Sequence, residues 1–307
     1  MMSAAIVAHG PVRAVRHVGN LVLVASEDRV TLHESSTVYG GVMKLKHIME
    51  VDTGPNPRGA CALAQREEQS SFVLACPSPA GARAEVQVWH GASGPRVAVS
   101  PVAEPGFGGR LGIPGNTQDL WQIRHCMSPR GRLRDVACVE LSRDARLLAA
   151  ADSLGMFLYI FSTTDGMILQ QLNMRGAMAE ICCIAFSSDS KWLAVSSNQG
   201  VTLFCVRVLT PWTPVRDPDD PSDAKLMDPR TRTFFVTSFT RAMPVARFRL
   251  VRGVRYVAVA FGQETSTILA ISMFGSLYRC EFDPVKGHMI HVEHMDLTEM
   301  KWRLLLQ

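Results

Sequence analysis

Residues 136–161 read VACVELSRDARLLAAADSLGMFLYIF, and residues 181–206 read ICCIAFSSDSKWLAVSSNQGVTLFCV. A shift of 45 residues lays Ser142 on Ser187, Asp144 on Asp189, Leu148 on Leu193, Ala149 on Ala194 and Gly155 on Gly200. Each copy is a set of short apolar runs broken by turn residues, and a repeat of this length is the spacing of a β-propeller blade. Between the copies runs Leu172-Asn173-Met174-Arg175-Gly176.

Outward from this pair the same rhythm continues. Toward the N-terminus, VRAVRHVG (12–19), LVLVAS (21–26), RVTLHE (29–34) and MKLKHIM (43–49) are rich in β-branched residues, with turn residues such as Gly19-Asn20 and Glu27-Asp28 between them. They predict a four-stranded meander over 12–51. After a connector, Asp52 to Gly59, the runs at 60–64, 71–77, 84–90 and 96–102 predict a second blade over 58–102. The repeat pair predicts blades over 134–172 and 180–250, and four further runs between 254 and 297 predict a fifth. The segment 103–133, rich in Gly, Pro and Arg, reads as an inserted loop. The segment 209–242 reads as a loop within the penultimate blade: it is crowded with Pro and Asp and ends with Phe234, Phe235 and Phe239 among Arg230, Arg232 and Arg241. The reading is all-β: one propeller domain over 1–307 with five blades and no helical domain.

Composition narrows the function classes. The chain has 307 residues, 47% hydrophobic and 20% charged, with a net charge of +4. That balance suits a globular fold, and without a long Lys/Arg run it gives no case for nucleic acid. No apolar run reaches the roughly 18 residues of a membrane-spanning helix, and no signal-peptide core opens the chain, so a cytoplasmic or membrane-peripheral protein is expected. Most of the eight cysteines lie in apolar runs and none forms a CxxC pair, which predicts buried reduced thiols. His288, His291 and His294 do not share one face of a strand, so no metal site is expected. No nucleophile–base pair, phosphate-binding glycine loop or paired carboxylates stand out, so neither catalysis nor a cofactor is expected.

Four segments carry a family resemblance: Val12-Arg13-Ala14-Val15-Arg16; Asn56-Pro57-Arg58-Gly59 with Cys61-Ala62-Leu63; the central repeats with Leu148-Ala149, Gly155, Ile160-Phe161 and Ala179 to Ser197; and Phe248-Arg249-Leu250 with Phe261-Gly262 through Gly275-Ser276. Over about 12–282 the chain resembles the PROPPIN family, the WIPI-like group of WD-repeat-like propellers. Members read phosphatidylinositol 3-phosphate and its 3,5-bisphosphate on autophagic and endosomal membranes. The resemblance implies a seven-bladed type of which this chain holds about five blades. Relative to that type, two blades' worth of chain is missing ahead of Met1 and an arc of five would leave two open sheet edges, so the expectation is either an incomplete sequence or a missing wall supplied by a rearranged ring or a partner.

The resemblance also implies a site. The family's F-R-R-G tetrad sends two arginines into two neighbouring pockets, where the planar guanidinium forks onto phosphate oxygens. Here the tetrad reads Asn173-Met174-Arg175-Gly176. Arg175 and Gly176 carry over, with Ser196, Ser197 and Thr202 as flanking headgroup contacts. Met174 replaces an arginine and cannot donate to phosphate. Met156, Tyr159, Val201 and Leu203 also depart from the family's polar pattern. Losing a charge-assisted contact costs about 1.5–3 kcal/mol, so the site reads as degenerate. Phe234, Phe235 and Phe239 read as an interfacial anchor in the position of the family's membrane-inserting loop. The implied protein is a non-enzymatic adaptor, peripheral on autophagosomal, endosomal or vacuolar membranes, with phosphoinositide membranes and autophagy or trafficking proteins as partners. The alternative is a protein-interaction scaffold that no longer binds phosphoinositides.

Overall fold

The computed structural model describes residues 10–38, 42–66, 71–79, 86–92, 122–127, 136–152, 155, 157–164, 166, 168–174, 180–206, 240–242, 244–248, 257–264, 266–283, 285 and 288–297. Within them the chain forms five sheets, antiparallel except for one short strand added in parallel to the third. The first is β1 (Ala14–Val18), β2 (Leu21–Ala25), β3 (Arg29–Val38) and β4 (Val42–Asp52), in that spatial order. The second is β5 (Ala62–Arg66), β6 (Ser71–Pro77), β7 (Val86–Ala92) and β8 (Gln122–Met127). The third runs β9 (Val136–Leu141), β10 (Leu147–Asp152), β11 (Phe157–Ser162) and β12 (Ile168–Asn173). The fourth holds β13 (Ile181–Phe186), β14 (Trp192–Ser197), β15 (Gly200–Cys205) and β17 (Ala246–Phe248). The fifth holds β18 (Val257–Phe261), β19 (Thr267–Ser272), β20 (Ser276–Phe282) and β21 (Met289–Asp296).

The repeated sequence gives repeated geometry. Ser142 donates its hydroxyl to Asp144 Oδ1 at 2.6 Å and accepts the Leu147 amide at 2.9 Å. Ser187 does the same with Asp189 and Trp192 at the same two distances. Ala145 (φ 56°) and Ser190 (φ 59°) take the left-handed conformation at matching turn positions. A non-glycine residue there costs about 1 kcal/mol, which the Ser–Asp bonds and the Ala145–Ser142 and Ser190–Ser187 backbone bonds offset.

Successive sheets pack face to face through apolar seams. Leu21, Leu23 and Val30 meet Cys61, Phe72 and Leu74 between the first and second. Val73 and Val88 meet Leu148 and Phe161 between the second and third. Leu158 and Ile160 meet Ile184, Leu193 and Phe204 between the third and fourth. Trp192 and Leu203 meet Ile268 and Phe282 between the fourth and fifth. Each large apolar side chain buried this way contributes about 1.5–3 kcal/mol. The second strands β6, β10 and β14 are buried on both faces because each lies between two seams. Among the described residues no such cluster joins the fifth sheet to the first, so the arc of five has four seams.

Three sequence expectations change. The predicted strand at 96–102 lies outside the described residues. The second sheet takes its fourth strand from β8 instead, inside the segment 103–133 read as a loop, where Val86↔Met127 to His90↔Gln122 set the register. In the segment 209–242, Thr240–Ala242 form a short strand, β16, parallel to β12 and covering the third sheet's outer edge. Among the described residues, the row of sheets ends on two sheet faces rather than two sheet edges, because the sheets stack by their faces.

The Asn56-Pro57-Arg58-Gly59 connector ties separate sheets together. The Asn56 amide donates to Ala60 O at 3.2 Å and its Oδ1 accepts the Ala60 amide at 2.7 Å. Gly59 has φ +64°, and a Cβ there would stand 2.7 Å from Arg13 Cβ, so both conformation and space require glycine. Arg58 reaches the start of the fourth sheet, donating to Glu180 Oε1 at 2.8 Å and Ile181 O at 3.2 Å. The cysteines with described side chains are free thiols. Burial pushes Cys61 up to about 11 and Cys280 up to about 12, which keeps both protonated and unreactive at neutral pH.

Candidate functional site

The candidate site is the rim between the third and fourth sheets, where the Asn173-Met174-Arg175-Gly176 connector leaves β12 for β13. Asn173 closes β12 opposite Phe157. Met174 follows and turns inward: it is 7% exposed and packs in the third–fourth seam with Leu158, Ile181 and Phe204. The side chain at the position of the family's first tetrad arginine is therefore core. Arg175 and Gly176 lie outside the described residues, as do Met156 and the aromatic residues Phe234, Phe235 and Phe239. Beyond the connector, Glu180 and Ile181 are held by Arg58.

Strand alternation sorts the three flanking hydroxyls. On β14, Leu193 and Val195 belong to the third–fourth seam, whereas Trp192 and Ala194 belong to the fourth–fifth seam. Ser197 therefore lies on the face turned to the third sheet and Ser196 on the face turned to the fifth. Ser196 is fully buried, its hydroxyl 2.5 Å from Val257 O on β18 and 3.3 Å from Cys183 O. That hydroxyl is committed to the seam. Ser197 donates to Gly200 O at 3.3 Å and accepts the Gln199 amide at 3.2 Å, shaping the β14–β15 turn. Thr202, paired with Val195 across β14, shares Ser197's side of the sheet. Ser197 and Thr202 are thus brought together on the connector's side, and Ser196 is not.

The other substituted positions are also core. Tyr159 is buried in the second–third seam, and Val201 and Leu203 are buried in the fourth–fifth seam. One cation was missed in the sequence. Arg247 stands opposite Thr202 on β17, exposed, while its neighbour Phe248 is buried in the fourth–fifth seam. The alternation of Ala246, Arg247 and Phe248 is the signal that could have found it. Ser197 and Thr202 are buried, so the polar group that this rim exposes is the Arg247 guanidinium, whose planar fork suits an oxyanion. Among the described residues no three His, Cys, Asp or Glu come together as metal ligands, and no helix is long and apolar enough to cross a membrane.

The fold and rim define a class: a WD-repeat-like β-propeller with a polar rim between two repeated blades. No family profile matches the chain. Autophagy-related protein 18e of Arabidopsis thaliana is 29% identical over 275 residues, which cover 86% of this chain. The chain spans 59% of the length of that curated relative. Among solved structures, Hsv2 of Kluyveromyces marxianus superposes with a TM-score of 0.55 at 12% identity, covering 95% of this chain and 73% of Hsv2. KlAtg21, solved with the coiled-coil of AgAtg16, gives a TM-score of 0.56 at 11% identity, covering 94% of this chain and 72% of the neighbour. The sequence similarity is to autophagy-related protein 18e, and the likeness to Hsv2 and KlAtg21 shows a shared β-propeller fold.

Proposed function

We propose that this protein is a non-enzymatic phosphoinositide effector, a peripheral adaptor on autophagosomal, endosomal or vacuolar membranes whose headgroup site has been reduced. The observation that carries the reading is the similarity to autophagy-related protein 18e over 275 residues, which includes the connector between the repeats. Arg175 and Gly176 hold the remaining phosphate, with Ser197 and Thr202 on the adjoining face and Arg247 beside them. Ser196 serves the site only by fixing the fourth sheet against the fifth. Phe234, Phe235 and Phe239 anchor the loop in the interface. Two weak contacts, headgroup and aromatics, reinforce each other because the first raises the effective concentration of the second. Autophagy or trafficking proteins are the partners; KlAtg21 bound to a coiled-coil of AgAtg16 is a precedent in the fold.

A second reading has its own support. Met174 is packed as core, so the first arginine position of the resembled tetrad supplies no cation. A chain that has lost the other as well is a protein-binding scaffold. Liposome co-sedimentation with and without phosphatidylinositol 3-phosphate separates the two. Lipid-dependent pelleting that falls in Arg175→Ala and in a Phe234→Ser/Phe235→Ser double variant supports the adaptor. Pelleting indifferent to the lipid in folded protein supports the scaffold.

A further inference from the structure

Two short strands fasten the outer rim between the third and fourth sheets. β16 lies on the third sheet's outer edge, where Thr240, Arg241 and Ala242 pair with Gln170, Gln171 and Leu172 of β12. β17 lies on the fourth sheet's outer edge, where Ala246 and Phe248 pair with Leu203 and Val201 of β15. Ala242 and Ala246 are four residues apart, so the chain between them spans at most about 14 Å. β16, β17 and that link form a strap across the rim. It flanks the candidate site on both sides: Leu172, opposite Ala242, leads directly into Asn173 and the connector, and Arg247 lies within β17. The β16 end is the weaker one. It is parallel and three residues long, and among the described residues no strand pairs with its far side. It can therefore open while the sheets stay intact.

We propose that β16 is a latch for the membrane loop: its pairing with β12 fixes where the aromatic segment meets the propeller, beside the headgroup connector. The inference rests on the membrane-adaptor reading above. Phe239 precedes Thr240 directly, and Phe234 and Phe235 lie within six residues of it. Neighbouring strands stand about 4.8 Å apart, so Ala242 is held next to Leu172, which ends three residues before Arg175. Were β16 unpaired, the 40 residues 206–245 would be anchored only at β15 and β17, and a free chain of that length has a root-mean-square span of about 35 Å. With β16 paired, the aromatic residues are joined to a fixed point on the rim by no more than about 20 Å of chain. That raises their effective concentration at a membrane whose headgroup Arg175 has engaged, which is what joining two weak contacts gains. The latch makes no lipid contact of its own; it positions the residues that do.

The test compares Thr240→Pro/Arg241→Pro with Thr240→Ala/Arg241→Ala in the 307-residue chain. Both pairs lose the same side chains, but only the prolines remove the backbone donors of β16. Hydrogen exchange over Gln170–Leu172 should be about 10-fold faster in the proline pair and unchanged in the alanine pair, with β10 and β14 protected in both. Pelleting on phosphatidylcholine vesicles carrying phosphatidylinositol 3-phosphate should fall about 10-fold from the alanine pair to the proline pair. Adding the proline pair to Phe234→Ser/Phe235→Ser should cost nothing further, because the latch acts only through the aromatic segment, whereas a general structural defect would add to the loss. Lipid-dependent pelleting that is equal in the two pairs overturns the latch and leaves the adaptor reading standing. So does unchanged exchange in β12, or a further loss in the combined variant. Wild-type pelleting indifferent to the lipid overturns the adaptor reading, and the latch with it.

Discussion

The third and fourth sheets come from two copies of one sequence pattern, and their first three strands match down to the turn hydrogen bonds at Ser142–Asp144 and Ser187–Asp189. Their outer rims do not match. The third sheet closes with a six-residue strand and then gains β16 in parallel, whereas the fourth closes with three residues arriving after a long excursion. The inner strands are constrained by seams on both sides, so a change there costs core packing. The rim faces solvent and is free to diverge. The candidate site lies where the two copies part, beyond the matched inner strands.

Single substitutions can break or sharpen this comparison. The largest effect is expected from Met174→Arg, which puts the arginine of the resembled tetrad at a position that is core here. Forcing a guanidinium into the seam beside Leu158 and Phe204 should destabilise the protein by about 2–4 kcal/mol in urea unfolding, without restoring a second headgroup site. An unchanged midpoint would show that Met174 is not part of the core.

Next comes a position where the two copies differ in charge, Glu140 against Ala185. Burial pushes the Glu140 carboxyl up to about 7, against the pull of Arg16 on β1. A raised carboxyl stabilises the fold in its neutral form. Its contribution is full below the ordinary glutamate range and fades as pH rises toward 7, where the folded state must hold the charge. Glu140→Gln should therefore gain about 1–3 kcal/mol at pH 8 and change little at pH 4. A gain that does not depend on pH would contradict the burial account.

The smallest effect belongs to the matched turns. Asp144→Asn and Asp189→Asn should each cost about 1 kcal/mol near neutral pH, and nearly the same amount, because the same bonds lose their charged acceptor. Burial works against the Asp189 carboxylate, but the Ser187 hydroxyl and the Lys191 amide and ammonium outweigh it and hold its pKa below the usual value. Its contribution is present above that usual value and lost as the pH falls through the lowered one. Unequal costs near neutral pH would mean that the two turns are equivalent in shape only.

What the sequence made legible follows the same division. Inner strands announce themselves through alternation and β-branched runs, and five blades were readable from those runs alone. The strand β8 was hidden because its Gly-, Pro- and Arg-rich surroundings set the composition of the window. The strand β16 has no local signal: three residues pair with β12, far earlier in the chain, and only tertiary contact selects them. Met174 was legible as a lost cation but not as core, since nothing local says that a connector residue turns inward. Ser196 and Ser197 were open to a closer reading, because adjacent strand residues face opposite ways and could not both serve one pocket.

The proposed function turns on a single headgroup site at the rim between the third and fourth sheets. It is tested most directly by isothermal titration with a water-soluble short-chain phosphatidylinositol 3-phosphate. The account predicts one site per chain, abolished in Arg175→Ala and unaffected by Ser196→Ala in variants that remain folded. Two sites, or none in a folded protein, would contradict it.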